Sequence, residues 1–524
     1  MKITTIISSK AIRRTLLISS ITVVLAACGS EQESAAPATT SAVAELTGFE
    51  TQVAQGADLF ATNCAACHGA DRLGLIGPAL LPQNLKRLRK NAAIATITAG
   101  RLATQMPPFK EKLTTQQIEL LAEHIYQPLP QVPTWGDTEI IKSHTEFTST
   151  DQLPAKPIHN ADPLNLFFVV ESGDHHVTIL DGDKLEPIHR FKTRFALHGG
   201  AKYSPDGRFV YYATRDGWVS MFDLHSMQMV AEIRAGINTR NIAISSDGKL
   251  VAVGNYLPHN LVLLNANDLS LHTIIPVADE KAQSSRVSAV YDAAPRNSFI
   301  LALKDIPEIW EIPYTTDNFS VRKIELKTPL DDFFFDQSYR FIMGASRTGG
   351  GAVVDIELGK KVSELALDGM PHLGSGITWR RGEQTVMASP NLRKGAITVI
   401  DMDSWLPIKE ITTKGPGFFM RSHENSKYAW ADVFFGKNRD LVHIIDKQSL
   451  EIVKTLRPEP GKTAAHIEFT RDGRYALLSI WEDDGALVVY DSNTLEEVKR
   501  IPMKKPVGKY NVYNKITRSE GTSH

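Results

Sequence analysis

Phe209-Val210-Tyr211-Tyr212, answered after a short turn by Val219-Ser220-Met221-Phe222-Asp223, decides the fold of most of this chain. Both runs are rich in β-branched and aromatic residues, which suits neighbouring strands, and an aspartate turn closes the second. The same form returns at Tyr475-Ala476-Leu477-Leu478 and Leu487-Val488-Val489-Tyr490-Asp491. A turn precedes each pair, Asp206-Gly207 and Asp472-Gly473. Related turns stand at Asp162-Pro163, Asp247-Gly248, Pro295-Arg296, Gln337-Ser338, Arg381-Gly382 and Asn425-Ser426. They recur at intervals of about 45 residues, the length of one four-stranded propeller blade. Eight turns predict an all-β, eight-bladed propeller over residues 160–524, with seven blades and one irregular insertion as the alternative. A β-sandwich would not repeat so regularly.

Upstream the pattern changes. Phe49 to Asn63 has helical periodicity, with Gly56, Leu59 and Phe60 on one face, and leads into Cys64-Ala65-Ala66-Cys67-His68. Cys-x-x-Cys-His is the attachment motif of a c-type haem: the thiols at Cys64 and Cys67 form thioethers and His68 ligates the iron. A zinc ribbon needs a second cysteine pair, and the chain has only one further cysteine, Cys28. Met106, in Met106-Pro107-Pro108-Phe109, is placed to be the sixth iron ligand, and Gly77-Pro78 marks a loop over the haem edge. Thr114-Thr115-Gln116-Gln117 caps a further helix to about Tyr126. Residues 47–127 therefore read as a small all-α cytochrome c domain, followed by a linker over 128–159.

The N-terminus carries Lys2, Lys10, Arg13 and Arg14, then a short apolar run, then Leu25-Ala26-Ala27-Cys28. This predicts a lipoprotein signal peptide over 1–27 with Cys28 lipidated, and a flexible tether over 28–46. Cleavage with Cys28 incidental is the alternative. The expected location is the periplasm, with a lipid anchor as the only membrane contact, since no later stretch is apolar enough to span a bilayer. At 524 residues, 42% hydrophobic and formal charge −1, the chain has material for a large core and no basic surface for nucleic acid.

A secreted cytochrome c domain joined to an eight-bladed propeller resembles the cytochrome cd1 family, whose propeller holds the tetrapyrrole haem d1. The resemblance covers nearly all of the mature chain. It is carried by Ala196-Leu197-His198-Gly199-Gly200, Ser204-Pro205-Asp206-Gly207-Arg208, Thr214-Arg215-Asp216-Gly217 and Gly508-Lys509-Tyr510-Asn511-Val512-Tyr513-Asn514. The nitrite-reducing branch uses two distal histidines, and the matching positions here are Lys304 and Asp331. That departure weighs against nitrite reduction, because lysine is a poor proton donor unless burial lowers its pKa. Asn255-Tyr256-Leu257-Pro258-His259, Gly369 to Gly376, Gly415 to Glu424, Arg457 to Thr463 and His466 look instead like the branch that oxidises dihydro-haem d1.

That resemblance implies an oxidoreductase taking one propionate of dihydro-haem d1 to an acrylate, with haem d1 as product. Electrons would pass to the covalent haem c and on to an external acceptor, and the product to a cytochrome cd1 nitrite reductase. It implies His198 and His372 as ligands of the tetrapyrrole iron, and His466 as base with Tyr510 beside it. Imidazole suits a base because its pKa lies near working pH. Arg215, Arg240, Arg347, Arg421 and Lys304 are the expected partners of the tetrapyrrole carboxylates, guanidinium forks being matched to them. On the residues alone, His466 would also fit as a packed strand residue, His372 as a loop residue, and Tyr510 as an aromatic in the closing strand. A non-catalytic haem d1 carrier and a nitrite reductase with altered distal residues stay open as alternatives.

Overall fold

The computed structural model describes residues 48–521 apart from 76, 87, 101–105, 132, 195–196, 347–349, 366 and 519, and omits the side chains of 48–50, 198 and 199. The expected signal peptide, tether and Cys28 lie outside the described residues, as does Arg347. From Phe49 onward the chain forms one compact unit.

Eight β-sheets make up the described β structure, seven of four strands and one of five. The ring is closed by the C-terminal strand Pro506–Asn511, which pairs antiparallel with Leu166–Glu171, Phe168 opposite Tyr510. First and last parts of the propeller therefore share blade one, and the eight-blade expectation holds. Inner strands are buried on both faces, as in Phe209–Thr214, because each blade is packed between two others. Outermost strands such as Lys360–Leu365 alternate between exposed and half-buried positions.

The repeating turns show why the sequence repeats. Ser204 accepts from the Gly207 amide through its carbonyl (2.8 Å), and its hydroxyl accepts from the Phe209 amide (2.9 Å). Gly207 sits at φ +78°, left-handed backbone that glycine adopts without steric cost. Ser245 and Thr470 make the same bonds in their own blades. At the other end of the hairpin, Asp223 accepts from the Ser226 amide (3.1 Å) and pairs with Arg208 (2.8 Å).

The cytochrome domain packs Gly48–Asn63, Lys90–Ala99 and Thr115–Tyr126 around Phe60, Ile97, Ile118 and Leu121. Thr114 forms the expected capping box with Gln117. Lys90–Ala99 was not anticipated, its run of alanines and β-branched Ile94, Thr96, Ile97 and Thr98 giving a weak helical pattern. The stretch read as a linker is built onto blade two: Asp137–Ser143 is a helix, and Thr145–Glu146 adds the fifth strand. Ile140 is buried in the blade core, and the Trp135 indole donates to the Arg234 carbonyl (2.8 Å). Its few apolar residues find partners only once the blade exists. Among the described residues no helix is long and apolar enough to cross a membrane.

Candidate active site

Cys64 follows the helix Gly48–Asn63, and the short helix Ala65–His68 carries the rest of the motif. Neither Cys64 nor Cys67 is in a disulfide. His68 Nδ1 lies 2.8 Å from the Pro78 carbonyl, which can only accept, so Nδ1 bears the proton and Nε2 keeps the lone pair a metal needs. Burial holds this imidazole below its ordinary pKa and raises the Cys64 thiol to about 11. A Cβ at Gly77 would stand 2.7 Å from His68 Cε1, so only glycine lets the loop lie flat on the ring. Cavities of about 520 and 880 Å³ adjoin the motif, and Cys64, His68 and Met106 line both. Free thiols, a ring nitrogen and a methionine around an apolar space fit a covalent haem.

A second space, about 670 Å³, lies inside the propeller and is lined by residues of all eight blades. Arg240, Lys304, His372, Arg421, His466 and Tyr510, six of the expected site residues, line it. Arg215 does not. It sits in the turn after Phe209–Thr214 and faces the cytochrome-side cavity. His198 lies on Leu197–Tyr203 opposite Ala213, but its side chain is outside the described residues. The propeller cavity and the 520 Å³ cavity share Tyr256 and Lys304, so the two candidate redox sites meet there.

His372 is held as His68 is. Its Nδ1 donates to the Phe418 carbonyl at 2.8 Å, leaving Nε2 as the lone-pair nitrogen, and its amide donates to Pro390. Burial keeps the ring below the ordinary imidazole pKa, hence neutral.

His466 does not sit in its strand as a packed residue would. The register between Ala464–Phe469 and Tyr475–Ile480 shifts between Ala465 and Ile467, and His466 has φ +53°. It is the extra residue of a β-bulge, in a conformation rare for a residue with a Cβ, and bulges commonly re-aim a side chain at a site. Its ring meets Tyr510 edge-on at 5.4 Å and Phe419 at 4.7 Å, and Nδ1 is buried with no hydrogen-bond partner among the described residues. Burial, then Lys509 and Arg421, push its pKa well below the ordinary value, which leaves a neutral imidazole. The Tyr510 hydroxyl is raised to about 12, mainly by burial. A Cβ at Gly508 would stand 2.7 Å from that hydroxyl.

Two features were not legible in the sequence. Lys304 Nζ donates to Asp331 at 2.5 Å, so the two residues that the resemblance set at the distal positions form an ion pair. Lys304 lines the propeller cavity with Asp331 beside it, as Arg240 does with Asp332. Asp432, at the end of Tyr428–Asp432, accepts from the amides of Phe418 (2.7 Å), Phe419 (3.0 Å) and His466 (3.4 Å). It ties the loop that orients His372 to the bulge that presents His466. Burial raises its carboxyl to about 7. Nothing local distinguishes it from the aspartates that close other hairpins.

Around these groups Arg240 lies 3.8 Å from Asp332, whose other oxygen accepts from Tyr291 (2.9 Å). Arg421 is buried 4.0 Å from Glu468. Lys509, fully buried, donates to Ser479 (2.8 Å) and to the His466 carbonyl.

A c-type cytochrome domain against a propeller whose central cavity holds a ligation-ready histidine, a base and cations defines a redox protein that handles a tetrapyrrole. Residues 161–515 match the cytochrome D1 heme domain family, to which this chain belongs, and residues 51–125 match the family of cytochrome C oxidase, cbb3-type, subunit III. The chain is 56% identical to the dihydro-heme d1 dehydrogenase of Pseudomonas aeruginosa, over 90% of this chain and 96% of that one. It is 24% identical to a nitrite reductase of Stutzerimonas stutzeri, over 90% and 94%. A solved structure, dihydro-heme d1 dehydrogenase NirN in complex with DHE, superposes with a TM-score of 0.86 at 56% identity, covering 88% of this chain and all of that one.

Proposed function

We propose that this protein dehydrogenates dihydro-haem d1, converting a propionate side chain to an acrylate and passing the electrons to its own cytochrome domain. The observation that carries this reading is the bulge that turns His466 out of its strand and into the propeller cavity beside Tyr510. Making C=C from CH–CH removes two protons and two electrons, and the cavity provides for both.

His372 Nε2 is oriented to meet the tetrapyrrole iron, because Nδ1 is occupied by Phe418. Arg240 and Arg421 supply cationic partners for its carboxylates. His466, kept neutral by burial, takes a proton from a propionate carbon, and Tyr510 holds the edge of that ring. Cys64, Cys67, His68 and Met106 would hold the haem, which when bound supplies a one-electron acceptor. Tyr256 and Lys304 line both cavities and stand between them. Export with a lipid anchor at Cys28, release of product to a cytochrome cd1 nitrite reductase and an external electron acceptor complete the proposed role.

Mixing the oxidised protein anaerobically with dihydro-haem d1 tests it. The expected result is the c-haem α band rising while the tetrapyrrole spectrum changes to that of haem d1. Binding with a ligand-field change but no electron transfer would make the protein a carrier.

A further inference from the structure

A further cavity, about 530 Å³, lies beneath the tetrapyrrole site, walled partly by the C-terminal helix Val512–Thr517. Lys202 and Tyr291 line both it and the tetrapyrrole cavity, so one layer of side chains separates them. Lys202 Nζ lies 5.5 Å from the centre of the Tyr291 ring within that layer. Lys515 lines the lower cavity, with Nζ 5.7 Å from the centre of the Tyr510 ring, itself in edge contact with His466. Tyr203, also on the lower cavity, donates to the Tyr510 carbonyl at 2.9 Å. The lower cavity reaches the surface among the exposed residues Pro205, Gln337 and Thr517.

We propose that the protons removed from the tetrapyrrole leave downward, from His466 past Tyr510 to the amines of Lys515 and Lys202, and out through this lower cavity. The proposal rests on the dehydrogenase reading. The lower cavity gives these amines a way to the surface on the side of the substrate away from the cytochrome cavity shared at Tyr256 and Lys304. Of the two electron pairs in the two broken C–H bonds, one becomes the new π bond and the other goes, one electron at a time, to the cytochrome haem and an external one-electron acceptor. His466 becomes an imidazolium on taking a proton and returns to neutral by handing it to an unprotonated lysine amine. The resulting ammonium releases it to water in the lower cavity.

The surroundings suit amines that change protonation. Burial, then Arg518, lowers Lys202 to about 8, with Arg421 acting in the same sense and Asp332 opposing. Burial, then Arg421, lowers Lys515 well below its ordinary value, with Lys202 acting in the same sense and Glu468 opposing. His466 faces Lys509 and Arg421, whose charge disfavours a proton on the ring, while Lys515 in its unprotonated form takes that proton away.

The test uses full-length, haem-loaded protein mixed anaerobically with dihydro-haem d1 in weak buffer containing a pH-indicator dye. Tetrapyrrole oxidation and proton release are followed together in wild type, K202M, K202R, K515M and K515R. Both substitutions at a relay lysine should slow proton release at least tenfold with tetrapyrrole binding retained, because arginine keeps the charge but cannot give up its proton. Proton release at the wild-type rate in the methionine variants, or its restoration by arginine, overturns the route. So does loss of tetrapyrrole binding in both variants of a lysine, which would assign that lysine to structure. If wild type binds tetrapyrrole but neither oxidises it nor releases protons, it is the dehydrogenase reading that fails.

Discussion

His68 in the cytochrome domain and His372 in the propeller are held by one device: Nδ1–H donates to a backbone carbonyl, of Pro78 or Phe418, at 2.8 Å in each case. What surrounds them differs. The 520 Å³ cavity beside His68 is walled on the cytochrome side mostly by aliphatic residues such as Leu85, Ile97 and Ile125. The propeller cavity beside His372 presents Arg240, Asp331, Asp332, Arg421 and His466. A group attached by two thioethers needs only an apolar socket and axial ligands. A substrate that arrives and leaves must be recognised by charge, and its chemistry needs a base. The two regions therefore share a way of preparing an iron ligand and divide the labour of storing electrons and moving protons.

The comparison breaks first at His466. His466→Ala should lower the rate of tetrapyrrole oxidation about 10²–10⁴-fold, the usual contribution of a positioned base. Its bound-tetrapyrrole spectrum, set by His372, should stay as in wild type. A rate within tenfold of wild type would place the base elsewhere.

Matched changes in the two supports sharpen it. Asp432→Ala removes the acceptor of three amides in the propeller and should cut oxidation about 10–100-fold, the range seen when an outer partner of a ligand is lost. It should alter the tetrapyrrole spectrum and leave the c-haem bands unmoved. Gly77→Ala should do the converse. Its Cβ crowds His68, costing about 1–3 kcal/mol of stability and shifting the c-haem spectrum alone. Parallel shifts in both chromophores from either variant would show that the supports are not separate.

The smallest effect concerns pH. Burial lowers His443 to about 4 and His466 well below its ordinary value, so the unfolded chain takes up their protons first. Their contribution to stability is whole above the unfolded imidazole pKa of about 6.5 and is lost as pH falls through the folded values. The propeller's unfolding midpoint should fall as pH drops from about 6.5 towards 4, and His443→Gln should flatten that dependence. A midpoint that rises on acidification would contradict the sign.

Cys64 to His68 is legible because haem attachment needs its groups contiguous, and the turns at Asp206-Gly207 and Asp472-Gly473 are legible because every blade solves the same packing problem with the same residues. His372 and His466 lie 94 positions apart, and only a resemblance to known proteins joined them. That Arg215 lines the cavity beside the cytochrome was not legible, because a turn's position on its blade does not say which neighbour it faces. Asp432 and the Lys304–Asp331 pair escaped notice because neither stands in a pattern.

Composition, period and one five-residue motif were thus enough to determine an eight-bladed propeller behind a haem-binding cytochrome. These depend on local spacing, which the chain carries with it. The bulge at His466, the tautomer of His372, the partition of Lys202 and Tyr291 between two cavities and the docking of residues 137–146 on blade two were decided only by the tertiary structure. Each depends on groups from different blades meeting inside the ring, where burial and a partner's carbonyl or charge set what a side chain can do.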